Sequence, residues 1–420
     1  MIMNIWIIDH YSSEPRFSGI SRQYDFANGL SAKGYNVLVI ASSFSHFTKK
    51  YLTEGECTVT EINPKAHYAY VKTMAYETND GWKRGFGSTL SFVHAVKKHR
   101  DELAEKYGKP DVVVGCSIHP FAWVAAYRAA KHFKARFFAE VRDLWPASWI
   151  DNKGLSPKHP RAMFFGWLEK WAYKRAEKII YSMSKGDKYI CDKLGFPKEK
   201  TIWIDQPMFT EKFDENAKRY DELPEDIKEF IGDSFICVFT GFYKDYEGVF
   251  DMLKAADILQ KKGSPIKFVF LGTGDAKEGM VKYQEEQQLK NVYIGGRISK
   301  ELIPPLLRRA QICLVQLAIK GNRKSYQYDA SKNKINEYMY SDSVIIYGTY
   351  QQHHNVETSG AGICIEPFDG QAFADNIEKV YNMTPEERAQ YGANARKYIQ
   401  ENNTLEKLTE KYISILEKKN

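Results

Sequence analysis

Short apolar runs alternate with amphipathic stretches along nearly the whole chain, and the alternation runs twice. In the first half, Ile5–Ile8, Val37–Ala41, Asp111–Gly115, Arg136–Val141 and Lys178–Ser182 read as strands, with helical spacing across Ser21–Lys33 and Ala122–Lys131. A polar stretch from Asp205 to Asp233, rich in Asp, Glu, Lys and Pro, reads as a linker. The pattern then restarts. Phe235–Thr240, Ile266–Leu271, Val292–Ile294, Ile312–Leu317 and Ser343–Tyr347 read as strands, Val249–Lys262 and Asp275–Leu289 as helices, and Pro385 to Asn420 as helices only. Strands that alternate with helices need crossover connections, so each half is expected to form a parallel sheet covered on both faces. The expected fold class is α/β, with two doubly wound domains, 1–205 and 206–402, facing each other across a cleft. The end of the chain, 403–420, is expected to pack back on the first domain as a helix.

Bulk properties narrow the partners. At 420 residues, with 43% hydrophobic and 27% charged residues, the chain is globular and long enough for two or three cores. A net charge of +7 suits anionic small molecules or an acidic membrane surface. No nucleic-acid-binding motif accompanies it, so no nucleic acid partner is expected. The six cysteines are scattered and form no CxxC pair or Cys/His cluster, as in reduced core residues of a cytoplasmic protein. No apolar run reaches the ~18 residues that span a bilayer, and the N-terminus lacks the shape of a signal peptide. The expected location is cytoplasmic, peripheral at most on the inner face of the plasma membrane. Basic and aromatic residues at Lys49-Lys-Tyr, Trp82-Lys-Arg-Gly-Phe86 and Lys97-Lys-His-Arg100 suit that surface, and equally suit a solvated basic face.

In open α/β sheets ligands bind outside the C-terminal ends of the strands, so chemistry is sought in the loops that follow them. The first such loop runs from His10 to Arg22 and contains Gly19, which allows close approach of backbone to a ligand. The second, Gly115-Cys-Ser-Ile-His119-Pro120, directs a histidine toward the strand ends; read alone, His119 is more often an ordinary residue at a helix start. In Glu140-Val-Arg-Asp-Leu-Trp-Pro146, charges of both signs close a strand, either for function or as an Arg142–Asp143 ion pair. Gly272 and Gly274 in Phe270-Leu-Gly-Thr-Gly-Asp275 make half a dinucleotide fingerprint, or a tight turn. Finally, Asp329-Ala-Ser-Lys-Asn-Lys334-Ile-Asn-Glu337 opens a helix. Its first N–H groups and Lys334 would face phosphate, and Glu337 one turn later would accept hydrogen bonds from a ribose diol. No motif of metal-ligand spacing is present, so neither a metal nor another cofactor is expected.

These stretches together resemble the retaining GT-B glycosyltransferases of family four, in the branch that assembles bacterial capsule and O-antigen polysaccharide, including transferases of N-acetylfucosamine. The resemblance covers nearly the whole chain. It rests on His10-Tyr with Arg22-Gln-Tyr, Gly34-Tyr-Asn-Val, Ala41-Ser-Ser-Phe-Ser-His46, Val71-Lys-Thr with Arg84 beyond, Glu140-Val-Arg-Asp-Leu-Trp-Pro, Ser156-Pro-Lys-His-Pro160, and Ser331-Lys-Asn-Lys334 with Glu337-Tyr-Met. It implies two Rossmann-like domains, the second holding the nucleotide-sugar donor. By resemblance Gly19 lies near the donor phosphates and His119 near the reacting sugar. Gly241, Lys244, Gly272, Gly274, Ser331, Asn333 and Lys334 fall on the donor side, and Arg297 lies where the base is held. Glu337 matches the ribose-binding acid that ends the family's E-x7-E motif, whose first acid is Asp329 here. His10, Arg22, Arg142 and Asp143 fall on the acceptor side. The chain departs from the family in the loop Gly241-Phe-Tyr-Lys-Asp-Tyr-Glu247, where Phe242 and Glu247 replace an Arg and a Lys that contact diphosphate.

The implied activity is metal-independent transfer, with retention, from a nucleotide-diphosphate sugar to a lipid-linked or glycan acceptor. UDP carrying an N-acetylated hexosamine is the expected donor. His119, Lys334, Glu337 and Asp329 are the expected catalytic group, with Lys334 and helix N–H groups stabilising the leaving diphosphate. A sugar-nucleotide epimerase of similar architecture and a non-catalytic glycan- or nucleotide-binding partner are the competing readings.

Overall fold

The computed structural model describes residues 2–17, 21–77, 83–117, 119–320, 325–328, 333–351 and 354–417. The chain divides into two compact units, Met1–Asp205 with Leu405–Asn420, and Gln206–Thr404.

The first unit is built on an eight-stranded sheet: β1 (Asn4–Ile8), β2 (Asn36–Ser42), β3 (Cys57–Asn63), β4 (Ala66–Val71), β5 (Val112–Ser117), β6 (Arg136–Val141), β7 (Lys178–Tyr181) and β8 (Thr201–Trp203). Their order is β3-β4-β2-β1-β5-β6-β7-β8, parallel except that β3 pairs antiparallel with β4. The β3–β4 hairpin is absent from the sequence reading. Cys57–Asn63 is a half-exposed edge strand of alternating Thr, Val, Glu and Ile, so it lacks the continuous apolar run that marks a buried parallel strand. The strand order reverses between β1 and β5, whose following loops therefore part around a crevice.

Helix Leu405–Leu416 packs on this sheet through helix Arg22–Ala32. Tyr412 is fully buried against Phe26, ring centroids 5.3 Å apart, and Arg136 Nη2 donates to the Ile415 carbonyl at 3.0 Å. Gly29 permits the contact: a Cβ there would lie 2.2 Å from Thr409 Oγ1.

The second unit carries an all-parallel six-stranded sheet: β9 (Ile236–Phe242), β10 (Lys267–Thr273), β11 (Val292–Ile294), β12 (Ile312–Leu317), β13 (Val344–Thr349) and β14 (Gly362–Ile365), in the order β11-β10-β9-β12-β13-β14. Its reversal point lies between β9 and β12. The polar stretch expected as a linker folds instead as helices Thr210–Ala217 and Glu225–Ile231. Phe213, Leu223, Ile227 and Ile231 recur at helical spacing within it and are buried in this unit's core, which outweighs the polar composition.

Candidate functional site

In the first unit the side chains at the β1/β5 reversal separate into a buried structural tie and a rim. Glu140, near the end of β6, is the centre of the tie. Its Oε1 accepts from Arg22 Nε at 2.7 Å, and its Oε2 accepts from Gln23 Nε2 at 3.1 Å and Cys116 Sγ at 3.0 Å. Burial would raise the Glu140 carboxyl, but the Arg22 charge and these hydrogen bonds hold it below the usual carboxylate range. Arg22 also donates to the carbonyls of Asp205 (2.5 Å) and Ile204 (2.7 Å). The expectation that Arg22 faces an acceptor is therefore corrected. Its guanidinium is buried and locks the first helix and the chain exit from β8 onto β6.

The rim begins with His10, buried between the rings of Tyr11 (4.4 Å) and Phe92 (4.8 Å), with Nε2 3.3 Å from Ser88 Oγ. His119 is buried among Phe121, Trp145 and Phe165, at 5.4, 5.5 and 5.6 Å between centroids. His46, from the loop after β2, lies 2.8 Å from the Tyr76 hydroxyl. Burial lowers all three imidazoles: His10 to about 3, with His119 and His46 adding to the effect; His119 to about 3, with the Arg84 charge; His46 to about 4, with Arg84 and Lys49. They are neutral at physiological pH; His10 and His46 meet the hydroxyls of Ser88 and Tyr76, while His119 Nδ1 accepts from the Phe121 backbone N–H at 3.4 Å.

Arg142 reaches back toward Asp9, Nη1 to Oδ2 at 3.6 Å, and its charge also partly offsets the rise that burial gives the Asp143 carboxyl. Among the described residues, buried Nε and Nη1 of Arg142, Nε1 of Trp145 and Nδ1 of His10 find no hydrogen-bond partner. Buried polar atoms are rarely left so without a ligand or water to satisfy them. His46, Tyr76 and Trp145 were not singled out from the sequence, although the loop carrying His46 and the Arg-Asp-Leu-Trp string were.

In the second unit, Lys334 enters the β9 end of the sheet. Its Nζ lies 2.5 Å from Glu247 Oε2, 3.4 Å from the Thr240 carbonyl and 4.4 Å from the centroid of the Phe239 ring. Gly241 leaves room for it, since a Cβ there would sit 3.0 Å from Nζ, and its φ of +148° suits glycine. The lysine expected as a point charge for phosphate is thus already balanced by a buried carboxylate. Lys244, which falls on the donor side by resemblance, is ion-paired with Asp275. Phe242 points to solvent, 62% exposed.

Gly272 and Gly274 serve packing. A Cβ on Gly272 would lie 1.8 Å from the Gly241 carbonyl oxygen, and one on Gly274 2.2 Å from that of Tyr243, so both keep the ends of β9 and β10 together. Glu337 is partly buried; burial raises its carboxyl and Lys300, 4.0 Å away, partly offsets this. Arg297 is exposed. Gly19, Asp329 and Ser331, and the side chain of Asn333, lie outside the described residues. His119, His10 and Arg142 are thus brought together in the first unit, and Gly241, Lys334, Gly272 and Gly274 in the second.

Comparisons with known proteins agree with this architecture. Residues 21–207 match the model of Glycosyltransferase Family 4, and residues 223–398 that of Glycosyl transferases group 1. Among curated proteins, none matches the chain in sequence. Among solved structures, sucrose-phosphate synthase from Thermosynechococcus elongatus is similar at a TM-score of 0.71 and 16% identity, covering 99% of this chain and 98% of the other. HepE from Anabaena in complex with UDP is similar at 0.66 and 14%, covering 99% of each chain. WaaG, a glycosyltransferase involved in lipopolysaccharide biosynthesis, is similar at 0.65 and 14%, covering 99% of this chain and all of the other (100%). With both sheets and both family models in place, the chain belongs to the GT-B glycosyltransferases, joining a Family 4 first unit to a group 1 second unit.

Proposed function

We propose that this glycosyltransferase moves a sugar, with retention and without a metal ion, from a UDP-linked N-acetylated hexosamine to a lipid-linked or glycan acceptor in bacterial surface polysaccharide synthesis. The observation that carries the reading is the rim of neutral imidazoles at His10, His46 and His119, beside the unsatisfied donors of Arg142 and Trp145. Such a set fits a polyhydroxylated ligand flanked by aromatic faces. The UDP complex of HepE supports the choice of nucleotide, and the work of WaaG in lipopolysaccharide supports the choice of acceptor.

In the proposed reaction the acceptor hydroxyl attacks C1 of the donor from the face that the diphosphate leaves. The C1–O bond to phosphate breaks, the new C1–O bond forms, and the departing phosphate oxygen takes the hydroxyl proton. His119 orients the donor sugar as a neutral hydrogen-bonding group. Lys334 stabilises the leaving charge, shared with Glu247. Glu337 accepts from the ribose hydroxyls.

A thermal-shift screen against nucleotide sugars, followed by NMR of the product anomeric configuration with and without EDTA, tests the reading. Stabilisation by a UDP-sugar and an α-to-α or β-to-β outcome insensitive to EDTA are expected. Inversion, or loss of turnover on chelation, overturns the mechanism. The internal pairing of Lys244 and Lys334 also fits a second reading, a binding partner without turnover. Donor binding by calorimetry with no product formed would establish it.

A further inference from the structure

Helix Pro160–Arg175 has two faces with opposite roles. Its inward face buries Ala162, Phe165, Leu168, Glu169, Ala172 and Tyr173. Phe165 there touches His119 and Trp145, so this helix is a wall of the rim described above. Its outward face is not polar, as that of a solvated helix would be. Met163 (61% exposed), Phe164 (41%) and Trp167 (59%) stand in solvent on consecutive turns. Exposed Lys170 and Lys174 continue the same stripe, and Arg161 and Arg175 flank it. The only acidic residue of the helix, Glu169, is on the buried face.

We propose that this stripe docks on an anionic phospholipid surface, with Met163, Phe164 and Trp167 in the headgroup region and the four cations against lipid phosphates. An amphipathic stripe of Trp, Phe and Met with Lys and Arg alone for charge is the composition of an interfacial helix. Charge complementarity selects the bilayer over a second copy of the chain. A two-fold contact through this face would press Lys170 and Lys174 against another cationic stripe with no acid to answer them. The inference rests on the proposed lipid-linked acceptor, because it brings the wall carrying Phe165 to the surface where such an acceptor resides. It also moves the membrane contact away from the basic stretches noted in the sequence. Lys98 there is paired with Glu56, and Trp82 lies outside the described residues.

Flotation of the full chain with phosphatidylcholine vesicles, with and without phosphatidylglycerol, at low and high salt, tests the proposal. Binding only to the anionic vesicles, weakened by salt, is expected. Lys170→Glu with Lys174→Glu is expected to lower the bound fraction about tenfold or more. Met163→Ser with Trp167→Ser is expected to lower it to a similar extent, about tenfold, at low salt too. These side chains are exposed, so both variants should melt as the parent does and keep turnover on a water-soluble acceptor. No binding to anionic vesicles, or binding unchanged in both variants, overturns the proposal. So does a concentration-dependent dimer in light scattering that the Met163/Trp167 variant abolishes. Turnover retained alongside absent vesicle binding sinks this inference alone, whereas vesicle binding without transfer sinks the enzymatic reading.

Discussion

Lys334 and Glu247 form an ion pair at 2.5 Å whose side chains are only 12% and 4% exposed, at the end of β9 where the donor diphosphate is proposed to lie. A donor phosphate arriving there meets a lysine whose charge is already matched. Replacing Glu247 by Gln should release that charge, tighten UDP binding and lower turnover by holding the product. Lys334→Ala removes the cation facing the buried Glu247 carboxylate and should cost about 3–5 kcal/mol of stability as well as most of the transfer. Calorimetric titration of UDP into each variant, with thermal melts beside it, checks both. Equal UDP affinity in Glu247→Gln and the parent would remove Lys334 from the diphosphate site.

The Arg22–Glu140 tie predicts a different phenotype for a residue the motif assigns to the acceptor. Arg22→Ala should lower stability by about 3–5 kcal/mol, because a fully buried carboxylate loses its partner. Arg22→Lys should recover little, since one ammonium cannot reach the Glu140 carboxylate and two carbonyls in the same fork geometry. The depressed Glu140 carboxyl contributes stability above the ordinary carboxylate range, lost as pH falls through its lower folded value. Urea melts across acidic pH should show this loss in the parent and not in Arg22→Ala. A change in acceptor KM with unchanged stability would contradict the structural assignment.

Glu169 predicts the opposite pH slope. Burial pushes its carboxyl up to about 8, although the Tyr173 and Tyr189 hydroxyls donate to it at 3.1 Å each. The folded chain therefore binds a proton that the unfolded chain has released. This contribution is complete below the unfolded carboxylate pKa and fades as pH rises toward about 8. Melting temperatures measured between about pH 5 and pH 9 should fall more steeply in the parent than in Glu169→Gln, with the variant ahead at the alkaline end. Parallel curves would show that Glu169 is ionised in the fold.

His119 should leave no mark on the pH–rate profile near neutrality. Burial, then the Arg84 charge, lowers it to about 3, so it is already neutral throughout the working range. The kcat/KM profile should lack an inflection between about pH 5 and pH 7, and His119→Ala, which loses the positioning of the donor sugar, should lower kcat by about 100-fold without creating one. An inflection near pH 6.5 that vanishes in the variant would mean the imidazole titrates as an acid or base.

How much of this was visible in the residues depends on the range of the interaction. The parallel strands β1, β2, β5 and β6 show as apolar runs, because both faces of each are buried locally. Helices Thr210–Ala217 and Glu225–Ile231 were hidden, because one buried side per turn leaves a segment polar in composition. The loops that carry His10, His119 and Lys334 were readable as strand-to-helix turns and as motif strings. Sequence alone determined that there are two α/β units with such loops, since periodicity is a property of neighbours in the chain.

Only tertiary structure decided what the charges in those loops do. Arg22 meets Glu140 across 118 positions and Lys334 meets Glu247 across 87. Nothing in either local string says whether its cation faces a ligand or a buried carboxylate. The same holds for helix Pro160–Arg175, whose Phe165 and Trp167 are both aromatic. The packing of one face against the sheet turns the first toward His119 and leaves the second to solvent. Burial and electrostatic pairing are set by which distant segments come together, and that is information the order of residues holds only through the fold.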